Sequence, residues 1–125
     1  MKKAACVFIK SPEGKILLIK RSSGDYWMAD KWGLPGGLAD KGESAIDAAL
    51  RESKEEANVH IKGLLSVFRK QHNDLDVTYF LTEEWTGIVK VSQEHTAFEW
   101  LFPEELKYYD TVPGLEELAL TYASS

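Results

Sequence analysis

The feature that most constrains this chain is an acidic helical pattern that follows a glycine pair, within residues 36–59. Near its end, Glu52, Glu55 and Glu56 stand at positions i, i+3 and i+4, so their carboxylates share one face of a helix. Like charges at this spacing repel and weaken a helix by roughly a few tenths of a kcal/mol per pair. A divalent cation would convert that repulsion into binding energy, because carboxylate oxygens are the hard ligands that Mg²⁺ and Mn²⁺ accept.

An Arg-Glu-x-x-Glu-Glu string on its own is usually a solvent-exposed helix face. Here the wider spacing is also fixed, with five residues between Gly37 and Glu43 and seven more before Arg51. The positions that define it are Gly37, Glu43, Arg51, Glu52, Glu55, Glu56 and Val59. This arrangement resembles the Nudix box. The resemblance continues outside the box, and the chain is similar to Nudix hydrolases of the MutT type.

Two positions of the box depart from the family pattern, which has an aliphatic residue at Ser53 and a glycine at Asn58. The predicted core-facing stripe of the helix is Ile46, Leu50, Ser53 and Ala57. On that stripe the small Ser53 hydroxyl is expected to donate back to the carbonyl of Ala49. Asn58 is expected to end the helix in a left-handed conformation, for which Asn is the next choice after Gly.

The remaining pattern predicts a single α/β domain over residues 1–125, folded as an α/β/α sandwich with a mixed β-sheet, which is the fold that the resemblance implies. The predicted strands are residues 4–9, 16–19, 60–68, 77–81 and 88–91. Turn chemistry at Pro12 and Gly14 predicts a β-hairpin between the first two. Glu43 is expected to open the acidic helix, Pro103 a short helix, and a terminal helix after Pro113 is expected to pack on the sheet. The polar sequence of residues 22–31, with Gly24, predicts a loop.

The composition of the chain limits the kinds of molecule that it is expected to bind. A net charge of −5 argues against binding to nucleic acid polymers or anionic membranes, whereas a small nucleotide that brings its own metal is compatible with it. The one cysteine, Cys6, lies in an apolar run and cannot form a disulfide within the chain, which suits a reducing cytoplasm. The apolar run at residues 4–9 is too short for a signal peptide, and no stretch is long enough to span a membrane.

The resemblance implies roles for individual residues. Glu52, Glu55 and Glu56 would hold Mg²⁺ or Mn²⁺. The Gly36 carbonyl would join that metal shell, and the loop residue Glu94 would be a further ligand or the general base. The catalytic set also includes two organising residues, Arg51 and Glu43, which would form an ion pair that orients the acidic face. The predicted substrate contacts are Arg21, Gly37 and His95.

The reaction that follows is metal-dependent hydrolysis of a phosphoanhydride in a nucleoside diphosphate linked to another moiety. The preferred substrate is a nucleoside triphosphate or deoxynucleoside triphosphate, cleaved to the monophosphate and pyrophosphate. The general base stays open among Glu52, Glu94 and His95. Trp27 and Trp32 are either core residues or surfaces on which a base stacks. The alternatives are a nucleotide-sugar or ADP-ribose pyrophosphatase, a non-catalytic nucleotide-binding regulator, and an interaction domain with a solvated acidic helix. The resemblance also leaves a homodimer open.

Overall fold

The computed structural model describes residues 1–22 and 29–124, without the side chain of His72. Trp27 and most of the predicted loop 22–31 therefore lie outside the described residues. The strands are β1 (Lys2–Ile9), β2 (Ile16–Arg21), β3 (Trp32–Gly33), β4 (Gly36–Leu38), β5 (His60–His72), β6 (Leu75–Thr86) and β7 (His95–Leu101). The helices are α1 (Ala45–Ala57), a 3₁₀ helix (Pro103–Tyr108) and α2 (Leu115–Tyr122).

In the described part of the chain the strands form two sheets. A four-stranded mixed sheet has the order β4-β1-β6-β5, in which β1 and β6 run parallel and the other pairs are antiparallel. A three-stranded antiparallel sheet has the order β3-β2-β7. Within residues 1–22 and 29–124, none of the helices has the length and apolar character needed to cross a lipid bilayer.

Strands β1 and β2 are buried on both faces, which explains their nearly continuous apolar sequence. Along β1, Val7 and Ile9 face the core beneath α1, whereas Phe8 faces a second core under α2. Along β2, Leu17 and Leu18 divide between the two cores in the same way. The predicted α/β/α sandwich with a mixed sheet is confirmed.

The predicted β-hairpin between residues 4–9 and 16–19 is wrong. The turn itself is present, since Gly14 has a φ of 90° and its N–H donates to the carbonyl of Ser11 at 2.9 Å. Only one isolated bridge, Lys10 to Ile16, joins the two strands before they diverge. Each strand then pairs inside a different sheet, because Pro and Gly fix the direction of a turn without fixing which neighbour its strands take.

The predicted strand at residues 88–91 is also wrong, although those at 60–68 and 77–81 lie within β5 and β6. The N–H of Lys90 donates to the carbonyl of Ala57 at 3.1 Å, and the side-chain amide of Asn58 donates to the carbonyl of Ile88 at 2.9 Å. The segment therefore bonds to the C-terminal end of α1 rather than to a neighbouring strand. There the N–H of Lys90 pairs with a helix carbonyl that has no partner within the helix. The next strand, β7, begins only at His95.

The ends of α1 differ in how well the sequence predicts them. Asn58 ends the helix with a φ of 59°, as predicted, but the helix begins at Ala45 with Ser44 as its N-cap rather than at Glu43. The Ser44 hydroxyl accepts the N–H of Asp47 at 3.1 Å. The helices predicted after Pro103 and Pro113 are both present.

The predicted core stripe of α1 is partly wrong. Ile46 and Leu50 are 54% and 38% exposed, whereas Ala49 and Ser53 are fully buried. The small side chains of the helix face the sheet instead, and Ala48, Ala49 and Ala57 are buried in the core beneath α1. The Ser53 hydroxyl, expected to donate to Ala49, has no hydrogen-bond partner among the described residues.

Candidate active site

An open pocket of about 400 Å³ lies between the C-terminal half of α1 and the turn that precedes β7. Its lining residues are Glu52, Glu55, Glu56, Ser92, Gln93 and Glu94. A larger open cavity, about 530 Å³, lies at the other end of α1 and contains one of the predicted site residues, Glu43, together with Lys2, Lys3 and Lys41. The smaller pocket is the candidate active site, because it collects four of the predicted carboxylates.

Glu56 is the most buried carboxylate of this pocket, with 7% of its surface exposed. Its Oε1 accepts the N–H of Gly36 at 2.7 Å, and its Oε2 lies 3.7 Å from Nε2 of His95. Burial raises the pKa of Glu56 to about 8, and the neighbouring charges of Glu52 and Glu94 add to the increase. The fold therefore holds a carboxylate in a place where its negative charge is poorly compensated.

The glycine pair before α1 allows the sheet and the acidic helix to meet. A Cβ on Gly36 would lie 2.1 Å from the carbonyl oxygen of Ala5, so no other residue fits there without moving β1. A Cβ on Gly37 would lie 2.9 Å from Oε2 of Glu52. The second glycine thus leaves room for a carboxylate directly over the strand.

Arg51 forms the predicted ion pair with Glu43 through a two-pronged contact. Its Nε and Nη2 donate to the two carboxylate oxygens of Glu43 at 2.9 Å each, and Nη2 also donates to the carbonyl of Leu38 at 3.1 Å. These bonds, together with the N–H of Asp40, lower the pKa of Glu43 to about 2. Glu43 is therefore a fully compensated carboxylate.

The same guanidinium also reaches two carboxylates of the pocket. Its Nη1 donates to Glu52 in a close contact and to Oε2 of Glu55 at 3.1 Å. Burial raises the pKa of Glu52, while Arg51 opposes that increase. Across residues 1–22 and 29–124, no three His, Cys, Asp or Glu side chains converge as a metal site in this conformation. Two of the predicted ligands, Glu52 and Glu55, are instead hydrogen-bonded to Arg51.

The turn before β7 brings the remaining predicted residues to the pocket. Glu94 is exposed at the rim, and its carbonyl accepts the N–H of Ser22 at 3.1 Å. His95 is buried behind Glu56 and pairs across the sheet with Arg21, whose positive charge lowers the pKa of Glu56. Arg21 therefore lies near the acidic pocket, at the end of β2.

Sequence reasoning missed two residues that line the pocket, Ser92 and Gln93. Each is an ordinary polar residue in a segment that was predicted to follow a strand, and no motif distinguishes it. It also missed the role of the Gly36 backbone N–H, which holds Glu56. The only signal for these contacts was the nearness of both segments to predicted carboxylates.

Comparison with known proteins gives a consistent result. The family model described as NUDIX domain matches residues 1–121. The asymmetrical bis(5'-nucleosyl)-tetraphosphatase of Mus musculus is 33% identical over 101 residues, covering 73% of this chain and 66% of its own length. The diphosphoinositol polyphosphate phosphohydrolase 3-alpha of Homo sapiens is 34% identical over 114 residues, covering 83% of this chain and 65% of its own length. The chain thus spans slightly less than two thirds of these curated relatives.

A solved structure of similar length agrees with the fold. The MutT NUDIX hydrolase from Burkholderia pseudomallei superposes with a TM-score of 0.84 at 25% identity, covering 98% of both chains. The chain therefore has a known fold.

Proposed function

The chain belongs to the Nudix family, and from this premise and the acidic pocket we propose that it hydrolyses a phosphoanhydride in a nucleoside diphosphate linked to another moiety. The observation that carries the proposal is the grouping of Glu52, Glu56 and Glu94 around one open pocket, although they come from two separate elements. A merely structural surface would not bury Glu56 beside two further carboxylates, because the charge repulsion costs stability.

We propose that Mg²⁺ or Mn²⁺ is the cofactor. Glu52, Glu55 and Glu56 would hold it, with Glu94 and the Gly36 carbonyl as further ligands. The donor set fits such an ion, since carboxylate and carbonyl oxygens are hard ligands and the pocket carries excess negative charge. When bound, the ion would neutralise phosphate oxygens and lower the pKa of a coordinated water.

The protein's own groups have distinct tasks in this proposal. Arg21, at the end of β2, would contact a substrate phosphate, for which a guanidinium is suited. Gly37 would leave the approach over β4 free of a side chain. Arg51, fixed by Glu43, would orient the acidic face and must release Glu52 and Glu55 before both can serve as ligands.

A carboxylate would take the proton from the attacking water. Glu52 and Glu94 both line the pocket and remain the two candidates. His95, the third candidate base and a predicted substrate contact, is buried, and its Nε2 is directed at Glu56. We therefore place His95 behind the carboxylates, where it supports Glu56 rather than the water.

The lead substrate is a nucleoside triphosphate or deoxynucleoside triphosphate that yields the monophosphate and pyrophosphate. Dinucleoside polyphosphates are the second candidate, favoured by the name of the mouse relative. Nucleotide sugars and ADP-ribose follow. The net charge of −5 supports a small metal-chelated substrate rather than a nucleic acid polymer or a membrane, and the unpaired Cys6 supports a reducing cytoplasm.

The test is release of phosphate or pyrophosphate from a panel of these nucleotides with Mg²⁺ or Mn²⁺. We expect Glu56→Gln to lower the best turnover by at least about a hundredfold, the scale of an essential charged group in catalysis. Glu117→Gln is the matched control, because it makes the same change on α2, away from the pocket. Activity that survives Glu56→Gln would overturn the assignment of this pocket.

An absence of hydrolysis across the whole panel would have two possible explanations, which a measurement of metal binding distinguishes. If Mg²⁺ or Mn²⁺ raises the melting temperature of the wild type but not of Glu56→Gln, the pocket binds metal and the chain is a nucleotide-binding regulator or has another substrate. If neither ion changes the melting temperature, the catalytic proposal is wrong and the acidic helix is a solvated surface.

A further inference from the structure

We propose that Ser92 is a positioning residue that fixes the turn carrying Glu94 and His95 against the end of α1. This inference rests on the proposed function for its effect on turnover. Ser92 contributes its backbone N–H, its carbonyl and its hydroxyl to contacts that reach Glu56, Glu94 and His95.

The backbone N–H of Ser92 attaches the turn to the acidic helix. It donates to the carbonyl of Glu56 at 3.1 Å, one of the last carbonyls of α1. The N–H of Lys90 donates to the carbonyl of Ala57 in the same way, also at 3.1 Å. Two successive carbonyls at the end of the helix thus hold the segment before the turn, and the first of them belongs to Glu56, a carboxylate residue of the pocket.

The carbonyl and the hydroxyl of Ser92 then define the turn itself. The carbonyl accepts the N–H of His95 at 3.1 Å, which closes a four-residue turn. The hydroxyl accepts the N–H of Glu94 at 3.4 Å and lies 3.2 Å from Nδ1 of His95. A short side chain bonded to the backbone two residues onward is the usual way in which Ser stabilises a turn.

The hydroxyl also contacts the His95 ring. Ser92 Oγ lies 3.2 Å from Nδ1 of His95, and Nε2 of the same ring lies 3.7 Å from Oε2 of Glu56. The ring is therefore held between the turn and the most buried carboxylate of the pocket. Ser92 fixes this position of the ring while it holds the backbone that places Glu94 at the rim.

The experiment compares Ser92→Ala and Ser92→Thr with the wild type by ¹H–¹⁵N NMR of the backbone amides and the histidine rings, at one fixed pH. We expect the wild type and Ser92→Thr to share the same resonances for the His95 ring and the Glu94 amide. Ser92→Ala should shift the His95 ring nitrogens and the backbone amide of Glu94, because both lose their contact with the hydroxyl. Ser11→Ala is the matched control, since the Ser11 hydroxyl accepts a turn N–H, that of Lys15, at 3.1 Å without contacting a histidine.

Turnover provides the second measurement. In Ser92→Ala we expect kcat to fall by about tenfold with a smaller change in KM, because the hydroxyl orients the turn that carries the proposed metal ligand Glu94. Ser92→Thr should recover most of it. If Ser92→Ala does not fold, Ser92→Cys supplies the same comparison, because a thiol is a weak donor of similar size.

The outcomes separate this proposal from the proposed function. If the wild type hydrolyses no nucleotide but Ser92→Ala shows the expected ring nitrogen shifts, the proposed function is contradicted and the positioning role of Ser92 is supported. Ring nitrogens and Glu94 amide that stay unchanged in Ser92→Ala would overturn the positioning role, whatever the turnover. Equal changes in Ser92→Ala and Ser11→Ala would do the same.

Discussion

The two ends of α1 hold carboxylates under opposite conditions. Glu43, just before the N-terminal end, has both of its oxygens bonded by Arg51, and its pKa is lowered to about 2. Glu56, in the last turn, has one backbone N–H as a donor, and burial raises its pKa to about 8. Glu43 is thus compensated within the fold, whereas Glu56 is buried with less compensation for its charge. The two ends of one helix therefore place their carboxylates in opposite electrostatic environments.

Arg51 connects the two ends, and replacing it should have the largest effect. Arg51→Met would leave Glu43, Glu52 and Glu55 close together without a cation, so we expect the greatest loss of stability, with Arg51→Lys between it and the wild type. Urea unfolding at neutral pH measures the shift.

The control is Arg69→Met, which breaks the bidentate pair of Arg69 with Asp76, at 2.8 and 2.6 Å, on the adjacent strands β5 and β6. Because that pair is one-to-one and leaves a single acid behind, its urea midpoint should fall by no more than about half as much. Equal shifts in the two variants would mean that Arg51 acts as an ordinary surface partner.

The position of the acids was predictable from spacing, whereas the difference between them was not. The i, i+3, i+4 pattern and the Nudix box placed three carboxylates on one face and paired Glu43 with Arg51. How well the negative charge of each carboxylate is compensated, however, depends on which donors from distant parts of the chain reach its oxygens. The N–H of Gly36 reaches Glu56 only because β4 lies beside β1, and that pairing has no local signal.

The errors in the fold have the same physical origin. Local patterns correctly located the turn after Lys10 and the apolar segment at residues 88–91. In the first case the strands joined different sheets, and in the second the backbone N–H groups went to the end of α1. Whether a short apolar segment becomes a strand depends on which backbone groups satisfy its hydrogen bonds. Those partners are set by tertiary contacts, which local propensity does not specify.

Acid titration should sharpen the contrast at the N-terminal end. The folded pKa of Glu43 is about 2 and its ordinary value is 4.5, so its contribution to stability is present above pH 4.5 and is lost as pH falls from 4.5 toward 2. We expect the melting temperature of the wild type to fall more steeply over this range than that of Glu43→Gln, whose side chain does not titrate.

The two curves should converge below about pH 2, where Glu43 is protonated in both states. Asp40→Asn is the control, since its carboxylate lies 3.4 Å from Arg51 at an exposed site and should change the slope less. Parallel curves for the wild type and Glu43→Gln would show that the ion pair does not contribute to stability.

The smallest expected effects come from two serines of the same helical segment, and they should have opposite signs. The Ser44 hydroxyl caps the N–H of Asp47, so Ser44→Ala should lower the free energy of unfolding by about 1 kcal/mol. The Ser53 hydroxyl is fully buried and has no partner in residues 1–22 and 29–124. Ser53→Ala removes that unsatisfied group and adds helix propensity, so it should raise stability by about 0.5 kcal/mol. Urea unfolding with unchanged m-values measures both, and a loss in Ser53→Ala as large as that in Ser44→Ala would show that the buried hydroxyl is bonded.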